Sequence, residues 1–399
     1  MKKRSIIFIL IIFVLLLTSC KPGQSKETTQ ACEDDAFGCA EFAAGDNIKL
    51  GYGAPMTGDY AAFGIDISQG AQIALDDFGD LEGWAFELVV EDDQGAPEGG
   101  AAVANKLAAD AGVVAIVGHV FSGATAAAIP IYDEIGIPMM SPSATNPDLT
   151  AMGTAVFNRN AFTDIAQASA AADYMYNNLS VMTLAVMHDG GDYGQGLAQM
   201  VSDNFESLGG EIVAFEAITP GEADYSAPLS AVAANSPDAL YFGGYNADAA
   251  VMVNQMTQAG LDGVTFFGCD GTFGQDFLEK TGENGEGAYS TTLVPASSAE
   301  KDAFDAAYEA AYGDMPGVLS AYTWNGYDSA AVLLNVIKSV AIVDGDTLYI
   351  PRGALVNAVR TVKDYQGLAG TITCAADGEC NATGPVLYII QDGAWTSVQ

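Results

Sequence analysis

An α/β protein of two lobes, each built on a largely parallel sheet, is what this sequence predicts. Three observations lead there. From Ile48 onward short apolar strands alternate with helical stretches, and after residue 163 the same alternation begins again. Half of the residues are hydrophobic and no long linker parts the two runs, so each has material for a core and the two lie side by side. Finally, several strands run into turns carrying hydroxyl, aromatic or acidic side chains, which is where open α/β sheets bind ligands.

The chain starts outside this pattern. Lys2-Lys3-Arg4 precedes an apolar run over 6–17 that is too short to span a bilayer as a helix, so 1–19 reads as a signal peptide. It ends in Leu17-Thr18-Ser19-Cys20, which resembles the lipobox of bacterial lipoproteins. That resemblance implies cleavage before Cys20 and lipid attached to it. Residues 20–46 are polar, acidic and without periodicity, and read as a lipidated tether.

In the first unit Ile48–Ala54 is a strand, 55–64 a glycine-bearing loop, 68–78 an amphipathic helix, 85–90 a strand and 101–111 a helix. Residues 113–117 are an unbroken apolar strand. The stretch 118–145 then reads as turn, helix, short strand over 137–140, and turn. In the second unit helices are expected over 165–178, 193–208, 226–234, 247–260 and 273–280. Strands are expected over 182–187, 211–215, 239–242 and Thr265–Gly268. After 285–291 helices return over Ala299–Tyr312, 320–342 and 352–362, and strands close the chain at 371–374 and Val386–Gln391. The late helices suggest that the chain crosses between lobes more than once.

Charge narrows the partners. With 14 Lys+Arg against 51 Asp+Glu, the net charge is −37, which excludes nucleic acid, since phosphate contacts need basic residues. The acids are scattered along the chain and read as a solvated, self-repelling surface. Glu91-Asp92-Asp93 lacks the spacing of a calcium loop. Six cysteines in an exported chain invite pairing. With Cys20 taken by lipid, Cys32 with Cys39 and Cys374 with Cys380 read as local disulfides, leaving Cys269 over. No CxxC occurs, and neither a metal nor a cofactor is expected.

The chemistry concentrates at strand ends. Ser122 stands at a helix start, where it reads as the N-cap and where unpaired N–H groups form a cradle for a carboxylate. Thr145, past the next strand, adds a hydroxyl. Each has an ordinary capping or turn role open to it, but two adjacent loops of one kind point to a site. In the second unit Tyr245 and Asp270 follow strands and Tyr193 opens a helix. Donors on one side and a carboxylate on the other suit a zwitterion, its ammonium at Asp270. Phe63, Phe121 and Tyr322 are candidate walls of an apolar pocket. An esterase-like hydrolase is the enzymatic alternative, with His119 ahead of Ser122 and His188-Asp189 at a strand end, although no Gly-x-Ser-x-Gly elbow is present.

The runs 48–64 (IKLGYGAPMTGDYAAFG), 102–107 (AVANKL), 118–150, 188–198 (HDGGDYGQGLA), 241–245 (YFGGY) and 268–271 (GCDG) resemble the branched-chain amino-acid (leucine/isoleucine/valine) binding proteins of ABC importers. The resemblance implies a two-lobed periplasmic-binding-protein fold of type I with three crossovers. Residues 47–163 and 293–382 would form one lobe, and 164–292 with 383–399 the other. It implies no catalytic activity. It further implies a ligand carboxylate on Ser122, contacts from Ser143 and Thr145 of the Pro-x-Ala-Thr turn, and contacts from Tyr193 and Tyr245. The chain departs from the family in three places. Asp270 stands where leucine binders commonly have glutamate, Phe121 replaces a frequent cysteine whose partner region, 92–95, has none, and Phe63 replaces a common tyrosine. The expectation is a monomeric, exported lipoprotein, anchored at the outer face of the cell membrane or in the periplasm. It captures an apolar amino acid for ABC permease subunits, with a sensor of an amide or similar ligand as the alternative.

Overall fold

The computed structural model describes residues 26–380 and 384–398; the expected signal peptide and Cys20, the expected site of lipid attachment, lie outside them. Two main sheets organise the chain. The first runs Asp80–Leu81, Trp84–Asp92, Ile48–Ala54, Val113–Gly118, Met139–Ser141 and Phe157–Arg159, parallel except at its first pairing. The second runs Glu211–Ala217, Thr183–His188, Ala239–Gly243, Thr265–Gly268 and Tyr289–Thr292, with Val386–Gln391 and Ala394–Ser397 added antiparallel at one edge. Helices cover both faces of such strands, so Val113–Gly118 is buried throughout and reads VVAIVG without polar alternation.

In each sheet the chain order reverses at one gap. In the first this lies between Ile48–Ala54 and Val113–Gly118, and in the second between Thr183–His188 and Ala239–Gly243. A crevice forms outside the carboxyl ends of strands at such a point. The chain leaves the first sheet after Arg159 and returns after Thr292 to lay Thr323–Val340 on it. It rejoins the second sheet at Val386. This is the expected two-lobed arrangement with three crossovers.

One helix pair fixes the late segment on the first lobe. A Cβ at Gly70 would fall 2.3 Å from the Thr323 carbonyl oxygen, and one at Gly326 2.5 Å from that of Ile67. Glycine at both contacts lets Ala61–Phe78 and Thr323–Val340 touch backbone to backbone. Asp66, buried between them, accepts hydrogen bonds from the hydroxyls of Thr323 and Tyr308, 2.5 Å each. Tyr322, just ahead of this helix, is held in place as a result.

Three local expectations change. The first helix begins at Ala61, seven residues before the expected 68, because Gly64 serves a close approach to the Pro55 carbonyl rather than a loop; its Cβ would lie 2.1 Å away. Phe157–Arg159 is a strand where no element was expected, and Thr347–Pro351 another between two expected helices. Part of the expected tether is folded. Lys26–Asp34 is a helix, and Cys39–Ala43 pairs antiparallel with Thr347–Pro351, burying Ala40 and Phe42 in the first lobe's core. The Asp35 carboxylate accepts from the backbone N–H of Gly353 and Ala354 (2.9 Å each) at the start of the helix Arg352–Arg360. Local periodicity does not reveal a five-residue strand whose partner lies three hundred residues on. Cys32–Cys39 and Cys374–Cys380 are disulfide-bonded and Cys269 is a buried free thiol, as the spacing suggested. No helix among the described residues is long and apolar enough to cross a membrane.

Candidate functional site

Eight of the nine candidate ligand residues line one cavity between the lobes. The first lobe brings Phe63, Phe121, Ser122 and Ser143, the second Tyr193, Tyr245 and Asp270, and the late segment Tyr322; Val120 and Gly271 complete it. All follow the carboxyl ends of strands beside the two reversal points, except Phe63, on the first of the paired helices, and Tyr322, just ahead of the second. Thr145 is the exception and does not line the cavity.

On the first lobe, Phe121 takes the N-cap position in extended conformation (φ −97°, ψ 143°), and Ser122 is the first helical residue rather than the cap. The Ser122 hydroxyl accepts from the Asn146 N–H (3.3 Å), while Ser143 donates to the Val120 carbonyl (2.8 Å) and Ser141 to that of His119 (2.7 Å). Those bonds stitch the two loops into one surface. Thr145 is buried beside Asp164, and its hydroxyl has no well-formed hydrogen bond there.

The second lobe contributes an acid held by tyrosines. Asp270 accepts from the Tyr193 hydroxyl (2.5 Å) and the Tyr322 hydroxyl (2.6 Å), and its own N–H donates to Gln167 Oε1 (2.9 Å). Burial raises its pKa above the ordinary carboxylate value, and the bonds from Tyr193, Tyr322 and Gln167 offset part of that rise. Burial likewise holds Tyr193, Tyr245 and Tyr322 well above the usual phenol range, so all three remain donors at any working pH. Asp164, fully buried, is pushed up to about 8, first by burial and then by the charge of Asp270 nearby. One of its oxygens has no partner among the described residues.

The lobes are closed on each other. The Phe121 and Tyr245 rings stack with centroids 4.1 Å apart and planes at 12°. Tyr60 donates to Asp248 (3.0 Å), Asn146 Nδ2 to the Asp192 carbonyl (2.6 Å), and Tyr322 to Asp270, each across the cleft. The space left is about 20 Å³, room for a water molecule. Phe121 reaches Tyr245 because Gly95 has no side chain: a Cβ there would lie 2.8 Å from the Phe121 ring.

The histidines do other work. His119 is buried, its Nδ1 2.8 Å from Asp93 and its Nε2 3.1 Å from the Tyr132 hydroxyl. His188 Nδ1 accepts from the Gly190 N–H (3.1 Å), and burial lowers its pKa. Neither ring is bonded to a serine, so the triad alternative has no geometry behind it. Sequence reasoning missed Asp164, Gln167 and Tyr60. Asp164 precedes the expected helix by one residue, and an acid at a helix start reads as a cap.

The family model described as periplasmic binding protein matches residues 47–394. A Leu/Ile/Val-binding protein homolog of Brucella melitensis is 30% identical over 362 residues, covering 90% of this chain and 94% of its own. Among solved structures, a leucine-binding protein of Thermotoga maritima has a TM-score of 0.80 at 30% identity, covering 88% of this chain and 98% of its own. A branched-chain amino-acid transporter substrate-binding protein of Streptococcus pneumoniae, in complex with isoleucine, has a TM-score of 0.77 at 28% identity, covering 88% and 99%.

Proposed function

The chain belongs to the periplasmic binding proteins, binders rather than enzymes, and on that premise we propose that it captures a free amino acid with an apolar side chain for an ABC importer. One observation carries the reading: a helix N-terminus with Ser122 on one lobe faces the Asp270 carboxylate on the other, across a single cavity walled by aromatic rings. The ligand carboxylate takes the N–H groups and hydroxyl at Ser122. Its ammonium takes the acceptor sites of Asp270 that the two tyrosines leave. Phe63, Phe121 and Tyr245 enclose the side chain.

A cavity this small does not admit an amino acid with the lobes as they stand. The Phe121–Tyr245 stack and the Tyr322–Asp270 bond part as the cleft opens, and the zwitterion bridges the lobes when it closes. A ligand shifts such a balance only by its differential affinity for the two states, and contacts on both lobes supply that difference. The lipid on Cys20 and the exported location belong to the same proposal, as do a monomeric state and delivery to permease subunits.

The raised pKa of Asp270 favours a second reading. A carboxyl that keeps its proton donates to the carbonyl of an uncharged amide, whereas an ammonium calls for the carboxylate. Titration calorimetry with leucine, isoleucine, valine, alanine, phenylalanine and acetamide decides. Binding of apolar amino acids and not of the amide supports the proposal, and the reverse replaces it with the second reading.

A further inference from the structure

Arg159 has a fully buried side chain at the end of the edge strand Phe157–Arg159. Its Nη1 donates to the carbonyls of Ala144 (3.0 Å) and Asn146 (2.6 Å), the two that flank Thr145. The other side of the guanidinium meets Glu379, Nε to Oε2 at 3.0 Å and Nη2 to Oε1. A fork of this kind fixes direction as well as distance.

Glu379 lies in the loop closed by the Cys374–Cys380 disulfide. That loop docks on the edge strand by backbone bonds, Arg159 N–H to the Gly378 carbonyl and Cys380 N–H to the Arg159 carbonyl, 3.0 Å each. Gly378 has φ +99°, and a Cβ there would sit 2.3 Å from the Phe157 carbonyl oxygen, so only glycine permits the contact. Glu379 Oε1 also accepts from the Thr150 hydroxyl at 3.0 Å. The loop, the arginine and the turn 143–146 thus form one connected body. From the turn, the Asn146 N–H reaches the Ser122 hydroxyl.

We infer that the disulfide-closed loop is a positioning device for the ligand turn, with Glu379 and Arg159 as positioning residues that set the path of the backbone through Thr145 and onto Ser122. The ligand part of this rests on the proposed function; the geometric part does not. Opening the loop frees Glu379 to leave Arg159, and the guanidinium then has one anchor fewer while still holding both turn carbonyls. A purely structural loop would loosen only itself and the strand edge beneath it.

The test uses the folded chain with three changes: Glu379→Gln, Glu379→Asp, and the paired Cys374→Ser/Cys380→Ser. Hydrogen exchange of residues 141–147 is read without ligand, and leucine affinity by calorimetry. Exchange in the turn rises in Glu379→Gln and in the serine pair, and moves back toward the parent in Glu379→Asp. Leucine affinity falls about three- to thirty-fold in Glu379→Gln and in the serine pair. Faster exchange confined to 157–160 and 374–380, with the turn at parental values, overturns the inference whatever the affinities do. If the parent binds no amino acid, the exchange arm alone decides, and the proposed ligand fails separately.

Discussion

Replacing Asp270 by asparagine keeps the size of the side chain and removes its charge. In the parent, both oxygens of Asp270 accept phenol hydroxyls, from Tyr193 and Tyr322. Asparagine offers one acceptor oxygen, so one of those hydroxyls loses its partner, a cost of about 1–3 kcal/mol to the closed state even without ligand. Leaving a bound ammonium poorly paired costs about 2–5 kcal/mol more. At about 1.4 kcal/mol per factor of ten, the second effect alone weakens binding by roughly thirty- to several-thousand-fold. Ser122→Ala removes one hydroxyl but leaves the helix N–H groups, so its loss is smaller, about 1–2 kcal/mol. Tyr245→Phe removes a neutral hydroxyl and keeps the stacked ring, and matters least. Binding also gains a pH dependence of definite sign. Asp270 holds its proton more tightly than an ordinary carboxyl in the unliganded cavity, and an ammonium binds its charged form. Affinity therefore rises as pH climbs above the ordinary carboxyl range, with proton release on binding. Calorimetry of the three variants, repeated in buffers of different ionisation enthalpy, reads all of this. Parental affinity in Asp270→Asn, with no protons released by the parent, would refute the reasoning.

Other perturbations test other links. Phe121→Ala removes the ring stacked on Tyr245 and enlarges the apolar end of the cavity, so the affinity for phenylalanine relative to valine rises about tenfold by calorimetry; an unchanged ratio means that the ring does not touch the ligand. Burial pushes Asp66 and Asp328 up to about 7, Asp164 to about 8 and Asp189 to about 6. A raised folded pKa contributes stability that is whole below the unfolded value near 4 and lost as pH rises through the folded one. The melting temperature is accordingly higher at pH 5 than at pH 8, and a scan rising with pH over that window contradicts these assignments. Cys20→Ala releases the chain from the membrane fraction; retention after detergent-free washing removes the lipid anchor from the proposal.

Much of the candidate site was legible because its residues share a topological cause. Ser122, Ser143, Tyr193, Tyr245 and Asp270 each follow a strand at or beside a reversal point, and strand, turn and helix alternation places such turns at one crevice whatever lies between them. Phe63 sits on a helix and Tyr322 just ahead of another, and their convergence depends on the Gly70 and Gly326 contacts, which the sequence reading did not reveal. Thr145 stands apart because its hydroxyl is buried beside Asp164 rather than in the cavity. Arg159 was illegible for a different reason. A lone arginine after Phe157-Asn158 reads as an exposed boundary residue, and only the return of Glu379, 220 positions later, makes its burial tolerable. The folded segment 26–43 was hidden in the same way, its strand partner and the helix that Asp35 caps both lying near residue 350.

The central claim is that a zwitterion bridges Ser122 and Asp270. It is tested most directly by mass spectrometry of the molecule retained when the protein is purified under native conditions and then denatured. The account requires an α-amino acid with an apolar side chain, lost from the Asp270→Asn variant under the same purification. A retained amide or another molecule without an amino group, kept equally well by Asp270→Asn, would contradict it.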